Sequence, residues 1–268
     1  MTSHTHLVIG GTGKTGGRIV SRLQARGAAV RSASRPGFDW GDRSTWLPTV
    51  RRATTAYVAY APDLAFPGAP GTVADLARLA ADSGVRRIVL LSGRGEPEAQ
   101  RAERLLADVA TSQGIEWAVV RAAFFMQNFS EGFFAGSIAE GRLRFVAADV
   151  GEPFLDADDL ADVATALLLG EAPLGRVHEV TGPRLLTFAE AMAQIGVDYE
   201  QVTAAQLVDD LTGAGLDDPS ALGLVELFTA VLDGRNASTT DGVSRVLGRA
   251  PRGFAAFVEG LADQDGAA

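Results

Sequence analysis

Apolar positions along this chain fall into short runs separated by stretches of helical period. His6 to Ile9 is an apolar run that ends in glycines, and Ile19, Leu23 and Ala25 follow at helical spacing until Gly27. The pattern predicts strand, turn, helix. Ala28 to Ala33 then reads as a second strand, followed by a short Phe38-Asp39-Trp40 segment, a helix near Arg43 to Val50 and a strand at Thr55 to Tyr60. A helix from about Val73 to Ser83 leads into the strongly apolar Arg87 to Leu91, then a helix through Ala99 to Ala110 and the strand Glu116 to Val120. Apolar strands alternating with amphipathic helices imply parallel pairing through right-handed crossovers, with both faces of the sheet covered. The expected fold is α/β, a Rossmann-type doubly wound parallel sheet.

Beyond Arg121 the pattern loosens. Phe124 to Phe134 is aromatic-rich and irregular, Asp156 to Leu169 reads as a helix, His178 to Thr181 as a late strand and Thr187 to Gln194 as another helix. From about Asp198 the helices are short and Gly-broken, which suits a small, mostly helical C-terminal lobe. The expected division is a nucleotide-binding domain over residues 1–155, with 156–268 completing that domain and forming a small substrate-binding lobe.

Residues 10 to 17 read Gly-Gly-Thr-Gly-Lys-Thr-Gly-Gly between the first strand and the first helix. A P-loop needs a glycine five residues before the Gly-Lys-Thr glycine, and that position is Val8, inside the strand. The dinucleotide-binding pattern is met by Gly10 or Gly11 with Gly13 and Gly16, which make a tight turn, admit a pyrophosphate to the backbone and let helix pack on strand. The helix N-terminus would point free N–H groups and a partial positive charge at that anion, with Gly10, Gly11, Thr12, Gly13, Lys14, Thr15 and Gly16 as the candidate contacts. An NAD enzyme usually carries an acid about 20 residues on. Here the second strand ends Val30-Arg31-Ser32-Ala33-Ser34-Arg35, with no carboxylate before Asp39. Arginine forks suit a 2′-phosphate, so NADP(H) is favoured over NAD(H), with Ser34 and Arg35 as the main contacts and Arg31 next.

Composition narrows the chemistry. The 268 residues are 47% hydrophobic and 21% charged, which excludes disordered and fibrous classes. Asp and Glu number 33 against 24 Lys and Arg, and a formal charge of -9 repels phosphate backbones and anionic lipid, so a small molecule is the expected partner, not nucleic acid or a membrane. No run of 18 apolar residues and no signal-peptide layout occurs, giving a cytoplasmic expectation; monomer and homodimer are equally compatible. With no Cys there is no disulfide, thiolate nucleophile or Cys-type zinc site. The only histidines are His4, His6 and His178, the first two in an N-terminal stretch expected to fray, so neither a His triad nor a metal site is foreseen. Lys14 is the only lysine, against 23 arginines, and the tyrosines are Tyr57, Tyr60 and Tyr199.

The chain resembles the NmrA-like branch of the atypical short-chain dehydrogenase/reductases, and within it the ergot-alkaloid-biosynthesis group with its festuclavine-synthase-type reductases. The matching stretches are Gly10 to Arg18, Ala33-Ser34-Arg35, Phe38-Asp39-Trp40, Gly84 to Arg87 running into Leu90-Leu91-Ser92, Phe125 to Ser130, Pro153 to Asp159, and Thr181-Gly182-Pro183 with Leu186-Thr187. The resemblance implies that Asp39 and Trp40 lie near the adenine, that Tyr60, Ala61 and Pro62 line the cofactor channel, that Ser92 sits beside the nicotinamide, and that Phe125, Asn128 and Phe129 border the substrate cavity. One departure is Ala122, where the family usually has proline.

Carbonyl-reducing short-chain dehydrogenases commonly use a Tyr-x-x-x-Lys pair, because the nascent alkoxide needs a proton. With Lys14 in the glycine loop no such pair exists; the corresponding region reads Gln100 and Arg104. An iminium carbon takes hydride without a proton in the same step, and a quinone or enone can take it if its oxygen is held by Ser92 or Tyr60. Those two are the candidate catalytic residues, although Ser92 reads equally as a loop cap and Tyr60 as an ordinary strand aromatic. The phenylalanines at 124, 125, 129, 133 and 134 read as core or as the lining for a flat apolar substrate. Asp156, Asp158, Asp159 and Asp162 fit a helix N-terminus better than a cation site, and Arg86 and Arg87 read as solvated. The function expected is an NAD(P)H-dependent reductase of a small apolar metabolite, heterocyclic ones included, with an iminium, quinone or enone as acceptor. The alternatives are an NADP-binding sensor without turnover and a cyclase or isomerase with a structural cofactor.

Overall fold

The computed structural model of the protein describes residues 4–132 and 134–265. It divides into two compact units, each drawn from separate parts of the chain. The first comprises residues 1–122, 157–180 and 241–250, and the second 123–156, 181–240 and 251–268.

The first unit holds six parallel strands: β1 (Thr5–Ile9), β2 (Ala29–Ala33), β3 (Thr55–Val58), β4 (Arg87–Gly93), β5 (Glu116–Ala122) and, after the second unit's strand β6 (Arg142–Phe145), β7 (Arg176–Val180). Their spatial order is β2-β1-β3-β4-β5-β7. Around them run α1 (Lys14–Ala25), α2 (Trp46–Val50), α3 (Ala69–Asp82), α4 (Pro97–Gln113) and, after the second unit's α5 (Ala135–Ala139), α6 (Ala157–Leu169). Helix α1 packs on α6 and α3 on α4, so each face of the sheet is covered by a helix pair, and Leu7, Ile9, Ile88, Leu90 and Val119 are buried between them. This is the doubly wound parallel sheet that the alternating pattern predicts. The order reverses at β1/β3, and in open α/β sheets ligands bind outside the carboxyl ends of the strands at such a switch point.

Several expectations need correction. Strand β1 starts at Thr5, so His6 does not fray: it is buried and its Nδ1 shares a 2.7 Å hydrogen bond with the Thr55 hydroxyl. Arg87 is not solvated, because its guanidinium binds the carbonyls of Leu167 and Leu168 at the end of α6 as well as Glu116. Helix α3 begins near Ala69, four residues before the expected Val73, with Pro70 preset for its first turn.

The second unit contains a two-stranded parallel sheet of β6 and β8 (Asp198–Gln201), with α5, α7 (Phe188–Ile195), α8 (Ala204–Gly213), α9 (Asp218–Val231) and α11 (Phe254–Asp265). The intervening helix α10 (Gly242–Leu247) belongs to the first unit. Capping boxes at Thr187/Glu190 and Thr203/Gln206 start α7 and α8. Two stretches that carry the family resemblance interlock here: the Gly182 amide donates to the Pro153 carbonyl at 3.0 Å. No helix among the described residues is long and apolar enough to cross a membrane.

Candidate functional site

The glycine turn closes the carboxyl end of β1. Gly10 takes φ +81°, open to glycine but rarely to other residues, and its amide donates to the Ala33 carbonyl at 2.9 Å, tying the turn to the end of β2. The Gly13 amide returns to the Gly10 carbonyl at 2.9 Å. A β-carbon on Gly11 would stand 2.3 Å from Ser32 Oγ, and one on Gly16 would stand 2.2 Å from the Gly10 carbonyl oxygen. Gly16 is therefore required by the turn's own backbone. Gly13 caps α1 with no side-chain hydrogen bond, and no acid occupies the first turn, so the positive end of the helix is left open to an anion. Beneath it, Thr15 is buried and accepts a 2.9 Å hydrogen bond from the Tyr57 hydroxyl. Burial pushes the Tyr57 phenol far above its ordinary range, which keeps it a permanent donor.

At the end of β2, the Thr12 amide and hydroxyl both donate to Ser34 Oγ, at 3.2 and 3.0 Å. Arg35 is exposed and forms no ion pair among the described residues. Arg31, the secondary candidate, is committed elsewhere: its Nη2 donates to the carbonyls of Thr49 and Arg51 behind α2. Asp39 Oδ1 accepts from the Gly41 amide at 2.8 Å, and its carbonyl accepts from the Trp46 indole. Trp40 packs on Phe38, Trp46 and Tyr60 with centroid separations of 5.0, 6.0 and 4.7 Å. The structure thus brings Trp40 and Tyr60 together, with the exposed Ala61 and Pro62 immediately after. A cradle that excludes β-carbons, an uncapped helix start and a free guanidinium fit a phosphorylated dinucleotide, which Gly10 to Gly16, Ser34 and Arg35 could hold.

Ser92 is only 3% exposed at the end of β4 and donates its hydroxyl proton to Glu103 Oε1 at 2.6 Å. It caps no loop. Glu103 also accepts from Arg121 Nε at 2.9 Å, Arg121 Nη1 reaches Glu179 at 3.2 Å, and Arg94 Nε reaches the same Glu179 at 2.8 Å. Glu103 holds Arg121 firmly charged, with its pKa above the usual value. The members of this network across α4, β4, β5 and β7 lie up to 87 positions apart, and its one local trace in the sequence is Glu103 among the apolar positions of α4. Tyr60 keeps a hydroxyl with no hydrogen-bond partner among the described residues. Glu96 sits at the N-cap of α4 without capping it.

In the second unit, Phe129 is fully buried and rings Phe124, Phe134, Phe154, Phe188 and Phe254 surround it at 5.6–6.2 Å. Phe129 is core, because every face of its ring is taken. Phe125 and Asn128 are only half-buried, and Phe133 lies outside the described residues. Gln127, overlooked between them, is buried and donates to Asp156 Oδ1 at 3.1 Å. A cavity of about 100 Å³ is lined by Met126, Phe154, Leu186 and Phe254, with Arg184 and Gln194 as its polar members.

The aspartates of α6 hold arginines. Asp158 binds Arg18 and Arg22, Asp159 binds Arg249 at 2.7 Å, and Asp162 binds Arg22 and Arg249. Asp158 and Asp159 lie within the first turn of α6. No metal-ligand cluster occurs among the described residues.

No protein-family model matches the chain. It is 32% identical over 274 residues to the uncharacterized oxidoreductase YesF of Bacillus subtilis (strain 168), covering 96% of this chain and 95% of that protein. It is 29% identical over 282 residues to the agroclavine dehydrogenase of Claviceps fusiformis, covering 95% and 96%. Among solved structures it superposes on Citrobacter sp. triphenylmethane reductase complexed with NADP(H) with a TM-score of 0.76 at 17% identity, covering 96% of this chain and 99% of that one. The oxidoreductase sequence shared over nearly the whole length, together with the glycine turn, means that the chain belongs to the NmrA-like branch of the atypical short-chain dehydrogenase/reductases.

Proposed function

We propose that this oxidoreductase takes NADPH and reduces a small, apolar, conjugated acceptor such as a cyclic iminium, a quinone or an enone. The observation that carries the reading is the cradle at the carboxyl end of β1, where Thr12 is bonded to Ser34 and Arg35 stands free beside it. When bound, the dihydronicotinamide supplies a hydride. Gly13 and the start of α1 receive the pyrophosphate, Arg35 meets the 2′-phosphate, and the Trp40–Tyr60 pair borders the channel toward the carboxyl edge of the sheet. Agreement with a triphenylmethane reductase that binds NADP(H) supports the cofactor, and the likeness to an agroclavine dehydrogenase supports an apolar heterocyclic substrate.

The test is a calorimetric titration of cofactor-stripped protein with NADPH, NADP+ and NADH. NADPH should bind at least as tightly as NADP+ and at least tenfold more tightly than NADH, and Arg35→Ala should erase the preference over NADH. Strong preference for NADP+ would make the protein a sensor of the oxidised cofactor. If no nucleotide binds, or if Gly13→Trp binds as well as wild type, the cradle has been misassigned.

A further inference from the structure

Glu96 follows β4 by three residues and occupies the N-cap of α4, a place where an acceptor side chain ordinarily turns toward the first-turn amides. Its carboxyl does not do so. It folds back over β4, where a β-carbon built on Gly93 would meet Glu96 Oε1, Cδ and Oε2 at 2.0, 2.3 and 2.4 Å. Only glycine at position 93 leaves it that space. The carboxyl has neither a hydrogen bond nor a cation among the described residues. The charged groups around it are acids: Asp63, directly after Pro62 in the loop from β3 to α3, and Glu103 on α4. The cations of this region are spent, with Arg121 on Glu103 and Glu179, and Arg94 on Glu179.

We propose that Glu96, held at the carboxyl edge of β4 with an unpartnered carboxyl over Gly93, is the acid that protonates the reduced substrate in place of the missing Tyr-Lys pair. Burial first, then the charges of Asp63 and Glu103, push its pKa up to about 8, so it carries its proton at neutral pH. The assignment rests on the reductase reading. In the step, hydride arrives at one end of a conjugated acceptor, and the displaced electron pair collects on the oxygen at the other end. That oxygen takes the Glu96 proton, and the resulting carboxylate is reprotonated from water. An iminium acceptor ends as a neutral amine without this proton, so the dependence on Glu96 should split by substrate class.

Three measurements on the full chain test it. In cofactor-free protein with 13C-labelled glutamate carboxyls, the resonance lost in Glu96→Gln should titrate near pH 8, apart from the other glutamates. Calorimetry should give NADPH affinities for wild type and Glu96→Gln within about twofold. Turnover of a quinone such as menadione should fall by about 10²-fold or more in the variant, with loss of the wild-type decline above pH 8, while reduction of a cyclic iminium changes less than about twofold. Quinone turnover equal to wild type, a Glu96 resonance titrating with the other glutamates, or no quinone turnover by a wild type that binds NADPH would each overturn the donor role alone. Failure of wild type to bind NADPH would overturn the reductase reading and the donor role with it.

Discussion

The Tyr57 hydroxyl lies 2.9 Å from Thr15 Oγ1 and joins the middle of β3 to the first turn of α1, directly under the glycine cradle. The two residues are 42 positions apart and both are buried. Tyr57→Phe removes the partner that reaches the Thr15 hydroxyl from the sheet, a loss of about 1–2 kcal/mol. Thermal unfolding should shift down by roughly 2–6 °C. NADPH affinity should fall as well, whereas Thr15→Val combined with Tyr57→Phe should recover part of the stability, because both polar partners then leave together.

Gly182 is pinned by sterics, not by its dihedral angles. A β-carbon there would sit 1.9 Å from the Phe154 carbonyl oxygen, so Gly182→Ala must displace backbone that carries the Pro153 hydrogen bond. The expected loss is about 2–3 kcal/mol by thermal or urea unfolding. Gly71→Ala, in α3 with nothing within 4 Å of the new methyl, should be neutral or gain roughly 0.5 kcal/mol.

His6 and His178 both have pKa values lowered from 6.5, in each case chiefly by burial, with His4 and Arg87 adding to the effect at His6 and Arg176 and Arg245 at His178. A depressed folded-state pKa makes the neutral form part of the native state. Its stabilisation is complete above about pH 6.5 and is lost as the pH falls through the folded values. The unfolding midpoint should therefore drop between pH 7 and 5. His178→Gln should flatten that slope, and imidazole proton resonances should place both titrations below 6.5.

Local signals in the chain were enough for the main sheet and the cradle. The run from His6 to Ile9, the glycines and the period of α1 lie within twenty residues, and each element agrees with its neighbours. Strands β6 and β8 were not legible, since Arg142–Phe145 and Asp198–Gln201 are four residues each and pair across more than fifty positions. Aromatic residues show the same limit. Phe125 and Phe129 sit four apart in one motif, yet one is half exposed and the other is enclosed by five rings, a difference fixed by residues 134 to 254. Ser92 reads in sequence as either a catalytic hydroxyl or a loop cap, because Glu103, its acceptor, is on the following helix. Glu96 carries no local signal of its own, because the turn of its carboxyl away from the amides at the start of α4 is a matter of packing over Gly93.

The division of the chain into interleaved segments governs how the protein can be made. The polypeptide passes from one unit to the other after residues 122, 156, 180, 240 and 250. Five of the six sheet strands emerge from the ribosome first, but β5 keeps an unpaired apolar edge until β7 has been synthesised, and α10 is later still. Neither unit can be completed before residues beyond 240 have been synthesised, so folding one unit after the other in chain order is closed to it. The first unit waits for α10 and the aromatic core waits for Phe254, so the two mature together and late in chain order.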